Sequence, residues 1–408
     1  VTKARVAVTG MHMVSGAGAT VEENVRHFLD PRNHFSAIQR FNSQDFPVKF
    51  ASEMPKVDFS KLPDRKSEKV LNERDGACIS AALFSLKDAK LNDVAIDPER
   101  LGLFTAVGNT QLGDLAPYFS AVSACVNPAE GVFDSRKFGR EMMGSLNPMV
   151  VMKTLLNNAL CFGSRFADAR GPNSNYFDFE TSAARALYEA RCAILGGRCD
   201  VAVVSSASAT VEPFWLKEWY DMGYFRGHGF DGVDPYRNGE DGAIMAEAAA
   251  SVVLEPLEKA QARGANVLGI LDYVDLASSG AFPQTPEALK KTTKEMMRNL
   301  FKETPASFQE IYLAANGRKQ FDQAELGAVQ DALLESKSTA KLQAPKKYFG
   351  ETFEASMMVG LILGIEKMRR QSQDAPQADS VVSTEQTSFA VIGHNLAGSL
   401  AGIVCSNC

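Results

Sequence analysis

Residues 171–197, GPNSNYFDFETSAARALYEARCAILGG, are the stretch where chemistry is most to be expected. The segment reads as an extended run, a sharp turn and a long helix that stops at a pair of glycines. A side chain in that turn stands at a helix N-terminus, where free N–H groups and the helix dipole favour negative charge. Such a position suits a nucleophilic cysteine thiolate or an oxyanion hole. The residue found there is Glu180. A plainer role is equally open to it: a carboxylate held at the helix start by the N–H groups of Ser182 and Ala183.

The other reactive side chains form weaker patterns. Seven cysteines at 78, 125, 161, 192, 199, 405 and 408 make no disulfide framework. Cys161, Cys192 and Cys199 sit in or beside apolar helical stretches and read as small buried hydrophobes. Cys405 and Cys408 form a CxxC at the end of the chain with no second pair to complete a metal site. The five histidines (12, 27, 34, 228 and 394) show no metal-ligand or triad spacing, and His394 lies nearest a motif, GHNLAGSLAG. GNTQLGDL at 108–115 is Gly-containing but lacks the GxGxxG pattern or a P-loop lysine, so no nucleotide site is expected. PFWLKEWY (Phe214, Trp215, Trp219, Tyr220) reads as core or interface rather than a cofactor box.

The elements that must position these residues are those of an α/β protein. Short apolar runs at 5–9, 103–107, 200–205, 250–254, 267–275, 310–315, 388–392 and 401–405 predict strands, with helices between them. Residues 286–301 predict a helix with Thr285 as N-cap and Pro286 at the first position. Leu289, Met296, Met297 and Leu300 form its apolar face. Residues 255–264 predict an amphipathic helix joining two strand-rich halves, 1–255 and 256–408. The polar stretch 371–387 predicts a surface loop.

Composition bounds the rest. With 408 residues, 45 % hydrophobic and 23 % charged, the chain can bury a large core without disulfides or metals. A net charge of −6 argues against nucleic acid as a partner. The longest apolar run, 357–365, is about half of a membrane span. No basic-plus-apolar leader opens the sequence, and the expected setting is cytoplasmic and reducing.

Four phrases in order carry a family resemblance: VTGMHMVSGAG, the RGPNS approach to the turn, DGVDPYRNGEDGAIMAEAAASVVLE, and the terminal AGSLAG. Across residues 4–405 the chain resembles the β-ketoacyl synthases of the thiolase superfamily. The resemblance implies a thiolase-like fold, two related α/β halves in a five-layered αβαβα body. It also implies a Cys at the elbow, which takes the acyl chain as a thioester, and two histidines in later loops that promote decarboxylation of malonyl-carrier protein. Here those positions hold Glu180, Asn316 (in IYLAANGRKQFD) and Glu351 (in APKKYFGETFEAS), with Lys346 matching the family's lysine.

The chemistry points the same way. A carboxylate would have to form an acyl anhydride, uphill from a thioester. Asn316 cannot shuttle protons near neutral pH, and Glu351 brings negative charge where an enolate would need stabilising. The pattern is similar to the chain-length factors of type II polyketide synthases, although Glu180 departs from their common Gln. That resemblance implies a non-catalytic subunit paired with an active ketosynthase, no bound cofactor of its own, and a partner served by the phosphopantetheine of an acyl carrier protein. It places the tunnel floor in 108–119 and 147–156, with Leu112, Leu115, Met149, Val150 and Met152 as the residues that would limit chain length. Two other readings stay open: a malonyl-carrier-protein decarboxylase or acyltransferase in its own right, and a scaffold that docks carrier protein without shaping the product.

Overall fold

The computed structural model describes residues 4–32, 34–92, 94–108, 116–145, 149–208, 211–227, 241–304, 307–373 and 386–408. Each of the eight runs expected to be strands overlaps one, although Leu313, Ala314 and Ala315 lie past the end of theirs, and the longest apolar run, 357–365, is helical. The strands are β1 (Val6–Ser15), β2 (Ser36–Ala37), β3 (Phe50–Ala51), β4 (Leu101–Val107), β5 (Asn173–Tyr176) and β6 (Val201–Ser208). They continue as β7 (Ala248–Pro256), β8 (Gly269–Ser278), β9 (Phe308–Tyr312), β10 (Lys341–Gln343), β11 (Ser388–His394) and β12 (Ser399–Ser406). All residues of β4, β6 and β11 are buried, so these strands read as unbroken apolar or small-residue runs rather than alternating ones.

β2 and β3 pair with each other, and the rest form one ladder in the order β10-β9-β11-β12-β8-β1-β7-β6-β4-β5. Outward from the middle, β1-β7-β6-β4-β5 and β8-β12-β11-β9-β10 repeat the same sequence of antiparallel and parallel pairings. The repeats meet through just Ala7↔Ile270 and Val8↔Gly269. Such a narrow seam lets the two halves fold face to face.

Helices Ser182–Leu195 and Ser356–Gln373 pack together between the halves. The first touches β4 and β6 on one side and β8 and β12 on the other. Its inward face is mostly Ala183, Ala184, Ala186, Ala190 and Ala193, small enough to let two sheets approach. Gly364 does the same for the second helix, because a Cβ there would lie 2.2 Å from the Phe389 ring on β11. Helix Glu73–Asp88 covers the outside of β1, β6 and β7, and helix Pro286–Glu303 covers β8 and β12 with helix Lys319–Ser336 packed beside it. The layers therefore alternate helix, sheet, helix, sheet, helix.

Thr285 caps the Pro286 helix by accepting from the Ala288 N–H, and Leu289, Met296, Met297 and Leu300 are buried, as expected. Several expectations need correction. Glu255 and Pro256 end β7, and the helix covers only Leu257–Ala262, because Glu255 is held by Thr9 and Arg263 as part of the sheet. The helix from Ser356 runs through Gln373, so residues 371–373 are not loop; 374–385 lie outside the described residues. β5 (NSNY) and β10 (KLQ) were not foreseen, since neither has an apolar signal. Cys199 is buried, but Cys161 is exposed and Cys192 half-buried on outward helix faces. Cys405 is buried in β12 while Cys408 is exposed, so the CxxC is no pair. Among the described residues no helix is long and apolar enough to cross a membrane.

Candidate functional site

The turn before helix Ser182–Leu195 is a strained elbow. Phe179 has φ of 47°, in the left-handed region that side chains other than glycine rarely occupy. A local clamp holds it there: the Asp178 N–H donates to Ser182 Oγ at 2.7 Å, and Ser182 Oγ donates to the Phe179 carbonyl at 2.7 Å. Asn395, in the β11–β12 turn, donates to the Asp178 carbonyl at 2.8 Å and ties the elbow to the other half. The AGSLAG region thus contributes Asn395 to the elbow, whereas the neighbouring His394 is buried with its Nε2 unpartnered. Burial, then the charges of Lys346 and Arg318, push His394 down to about 3.

The elbow delivers Glu180 into the interior, 3 % exposed. It does not rest on the Ser182 and Ala183 N–H groups. Its Oε1 accepts a short hydrogen bond from the Tyr224 hydroxyl, and its Oε2 has no partner. Asn316 and Glu351 converge on the same point. Asn316 Nδ2 donates to Tyr224 Oη at 3.1 Å and to Glu351 Oε2 at 2.7 Å. Lys346 Nζ donates to that same Glu351 oxygen at 2.7 Å, while Glu351 Oε1 accepts from the Phe353 N–H at 3.0 Å and Ser356 Oγ at 2.9 Å. Tyr224 Oη also lies 3.1 Å from Glu351 Oε2, but its single proton goes to Glu180.

Each of these groups is placed by its own element. Tyr224 is wedged between Trp219 and Phe353, with the Arg318 guanidinium 4.6 Å above its ring. Asp322, in the first turn of helix Lys319–Ser336, accepts the N–H of Asn316 at 3.1 Å and of Gly317 at 2.8 Å, fixing that loop. Glu325, one turn on, accepts the Ala314 N–H at 2.9 Å.

Electrostatics divides the acids. Burial pushes Glu180 up to about 7, and the Glu351 charge adds to this. Burial also pushes Asp322 to about 7 and Glu325 to about 8. Burial would raise Glu351 as well, but the Lys346 charge and the bonds from Asn316, Lys346 and Ser356 outweigh it, and Glu351 lies below its ordinary value. Glu351 is an ionised, saturated acceptor beside a carboxyl that holds its proton up to about pH 7.

A pH dependence follows from these shifts. Acids raised in the folded state hold protons that the unfolded chain has lost, so stability falls as pH rises from about 4.5 to about 8. Below about 6.5 the lowered imidazoles of His12, His34 and His394 act the other way, so urea-unfolding midpoints should decline between about 6.5 and about 8, and Glu180→Gln should reduce that decline. Glu351 acts in the opposite direction and only below about 4.5, where protonating it costs stability. A flat profile in both proteins would contradict the assignment.

Among the described residues the cluster consists of two carboxyls, an amide, a phenol and an amine, with no thiol. The cavity beside Glu180, bounded by Lys346, Ser356, Met357 and Gly393, is about 20 Å³. That is room for about one water. Among the described residues no group of three or more His, Cys, Asp or Glu side chains could hold a metal ion.

The remaining expected site residues lie elsewhere. Met149, Val150 and Met152 are on the short helix Met149–Lys153, Met149 half-buried and Met152 41 % exposed. Leu112, Leu115 and His228 lie outside the described residues. His27 and His34, seven residues apart in sequence, bring their rings to 4.4 Å. Tyr224, Asn395 and Asp322 escaped the sequence reading. Only Asp322 carried a signal, an acid one helical turn after an Asn-Gly loop.

Comparison with known proteins agrees with this architecture. The model of the β-ketoacyl synthase N-terminal domain matches residues 3–260. The chain is 24 % identical over 367 residues to the chloroplastic 3-oxoacyl-(acyl-carrier-protein) synthase I of Arabidopsis thaliana, covering 87 % of this chain and 73 % of that enzyme. It is 25 % identical over 376 residues to 3-oxoacyl-(acyl-carrier-protein) synthase 2 of Rhizobium meliloti, covering 90 % and 86 %. Among solved structures, the ishigamide ketosynthase/chain length factor superposes with a TM-score of 0.81 at 17 % identity over the full length of both chains. The module 6 ketosynthase of the Bacillus subtilis bacillaene synthase gives 0.78 at 16 % identity, over 99 % of this chain and 72 % of that one. The fold shared with them is the thiolase-like ketosynthase fold. With a matching family model over most of its length and the layered body that family builds, the chain belongs to the β-ketoacyl synthase family.

Proposed function

We propose that this chain is a chain-length factor: a non-catalytic subunit that pairs with an active ketosynthase and shapes the elongation tunnel of a type II polyketide synthase. The observation that carries the reading is the buried cluster itself. Glu180, Asn316 and Glu351, at the positions of the family's nucleophile and two histidines, are locked together through Tyr224 and Lys346. Glu180 lacks a thiolate's reactivity, Asn316 cannot carry a proton, and the Glu351 charge opposes an enolate.

Carbon–carbon bond formation then belongs to the partner's cysteine, on chains held by the phosphopantetheine of an acyl carrier protein. Two superposed structures fit such partners: one is the ishigamide ketosynthase/chain length factor, the other a type II polyketide synthase acyl-carrier protein in complex with its ketosynthase. β5 is the outermost strand of its half, and its outer edge is unpaired among the described residues. Asn175 on β5 donates to the Leu156 carbonyl at 3.4 Å, and Met152, Leu155, Leu156 and Phe177 in this region are about two-fifths exposed. An open edge strand flanked by exposed apolar side chains favours pairing with another chain.

Expressed alone, the chain should therefore be poorly soluble or self-associated. Co-expressed with its ketosynthase it should co-purify at one to one, as for subunits whose folded state depends on assembly. Light scattering and subunit stoichiometry test this. A well-behaved monomer indifferent to the ketosynthase would refute the reading.

A further inference from the structure

A second cleft, of about 740 Å³, shares no lining residue with the cluster around Glu180. Helix Ser356–Gln373 starts at the cluster with Ser356 and brings Arg370 to this cleft, about 21 Å further along its axis. The cleft spans the seam between the halves. Met11 and His12 of β1 and the end of helix Glu73–Asp88 come from one half, and Leu268, Arg369 and Arg370 from the other. Its volume is that of a site for a small organic ligand.

Four cations line it, Lys87, Lys90, Arg369 and Arg370, together with three acids. The acids are already engaged. Glu22 bonds to Arg26 at 2.9 Å, and Asp88 accepts the Met11 N–H at 2.9 Å. Glu366 pairs with Arg369 through Nη1 and with Arg370 through Nε, so each guanidinium keeps further N–H donors in reserve. Among the described residues Lys87 and Lys90 have no ion-pair partner. Lys90 is also placed at a conformational cost. It follows the helix with φ of 55°, and the backbone is tied there by Lys90 N–H to the Lys87 carbonyl at 3.0 Å and Leu91 N–H to the Leu86 carbonyl at 3.1 Å. Glycine is the usual residue at such a helix end, and a lysine forgoes the relief it gives.

The same cleft has a flat apolar wall. Phe84 is 42 % exposed and packs on His12, with ring centroids 4.9 Å apart and planes at 35°. Burial pushes His12 down to about 4, so the imidazole is uncharged at neutral pH and adds ring surface rather than a fifth cation. An exposed aromatic face offers stacking, and lysine and arginine side chains with spare donors offer charge-assisted hydrogen bonds to phosphate.

We propose that this cleft binds a small organic phosphate carrying a flat ring, of the nucleotide class, with the ring against Phe84 and the phosphates held by Lys87, Lys90, Arg369 and Arg370. The ligand would join the two halves across their narrow seam, and would raise the thermal midpoint by binding the folded chain alone.

The test is equilibrium dialysis and thermal unfolding of the full chain, together with any subunit that co-purifies with it, using ATP and inorganic pyrophosphate as probes. Variants made in this chain locate the binding here whether or not the chain is paired. ATP should bind saturably, one per chain, and more tightly than pyrophosphate. Lys87→Ala and Arg370→Ala should each weaken ATP by about tenfold, as expected for loss of a charge-assisted hydrogen bond. Phe84→Ala should weaken ATP to a similar extent and leave pyrophosphate unchanged, which separates the ring from the charges. Lys90→Gly should weaken ATP while raising the midpoint of the unliganded chain, because the backbone strain is relieved. Lys291→Ala and Lys302→Ala, exposed lysines of helix Pro286–Glu303 outside the cleft, should change neither. Absence of saturable ATP binding, or equal losses in the helix Pro286–Glu303 controls, would overturn the site. Pyrophosphate binding as tight as ATP, indifferent to Phe84→Ala, would overturn the nucleotide assignment.

Discussion

Elongation by the assembled pair should fall by about 10⁶ when the ketosynthase's cysteine is replaced by alanine, the scale seen when a nucleophile is removed from a cooperating catalytic set. Glu180→Ala in this chain should leave the rate of carbon–carbon bond formation within about tenfold, equivalent to about 1.4 kcal/mol. The asymmetry follows from what each side chain can do. A thiolate accepts the acyl group as a thioester and later releases it. Glu180, hydrogen-bonded to Tyr224 and pushed up to about 7 by burial, can only form an anhydride, at higher energy. A radiolabelled acyl trap followed by denaturing electrophoresis should mark the ketosynthase alone. Label retained on this chain, or a loss on Glu180→Ala comparable to that of the cysteine variant, would restore an enzymatic role to the elbow.

Lys346→Met should destabilise the folded chain by about 3–5 kcal/mol, measured as the urea midpoint of the assembled pair. Lys346 Nζ lies 2.7 Å from Glu351 Oε2, with only 8 % of the lysine side chain and none of the glutamate exposed. Removing the cation leaves a buried carboxylate with hydrogen bonds but no countercharge. Adding Glu351→Gln to Lys346→Met should recover much of the loss, since no lone charge then remains. Recovery is expected to be incomplete because the amide cannot reproduce every bond that Glu351 accepts from Asn316, Phe353 and Ser356. A double variant no more stable than the single one would show that the loss arises from packing rather than charge.

The two results probe different properties of one cluster. The first asks whether the site still turns over, and the second whether its residues have become structural. A site that has lost its chemistry yet is costly to disturb is what this network implies. Catalytic groups must stay underused in the ground state, whereas Glu351 already accepts from Asn316, Lys346, Phe353 and Ser356 within 3.0 Å.

Much of the architecture is written locally. The runs that became β4, β6, β7 and β11 are apolar or small throughout, and burial on both faces leaves such segments little alternative to an interior strand. Thr285 and Pro286 start their helix by satisfying free N–H groups within the same turn. The elbow at 177–181 is likewise local, since Ser182 and Thr181 hold it through bonds to Asp178 and Phe179. The residue types at 180, 316 and 351 already exclude the family's usual thioester chemistry, because that depends on what a side chain is and not on where it lies.

What only the tertiary structure decided are the relations between distant segments. β5 and β10 are polar and short, and exist because β4 and β9 offer them a ladder. Tyr224 has no motif around it; it matters because Trp219 and Phe353 aim its hydroxyl at Glu180 and Asn316 brings an amide to the same oxygen. Glu351 reads in sequence as a charge in the wrong place, and becomes a stable ion only where Lys346 and Ser356 surround it. Glu354, in the 3-10 turn Phe353–Ala355, looks like any helix-start acid until folding buries it completely. Helix caps and buried strands draw their energy from neighbours a few residues away, so sequence suffices to read them. The ionisation and pairing of a buried side chain depend on which groups the fold brings within about 3 Å, and that distance is set by the whole chain.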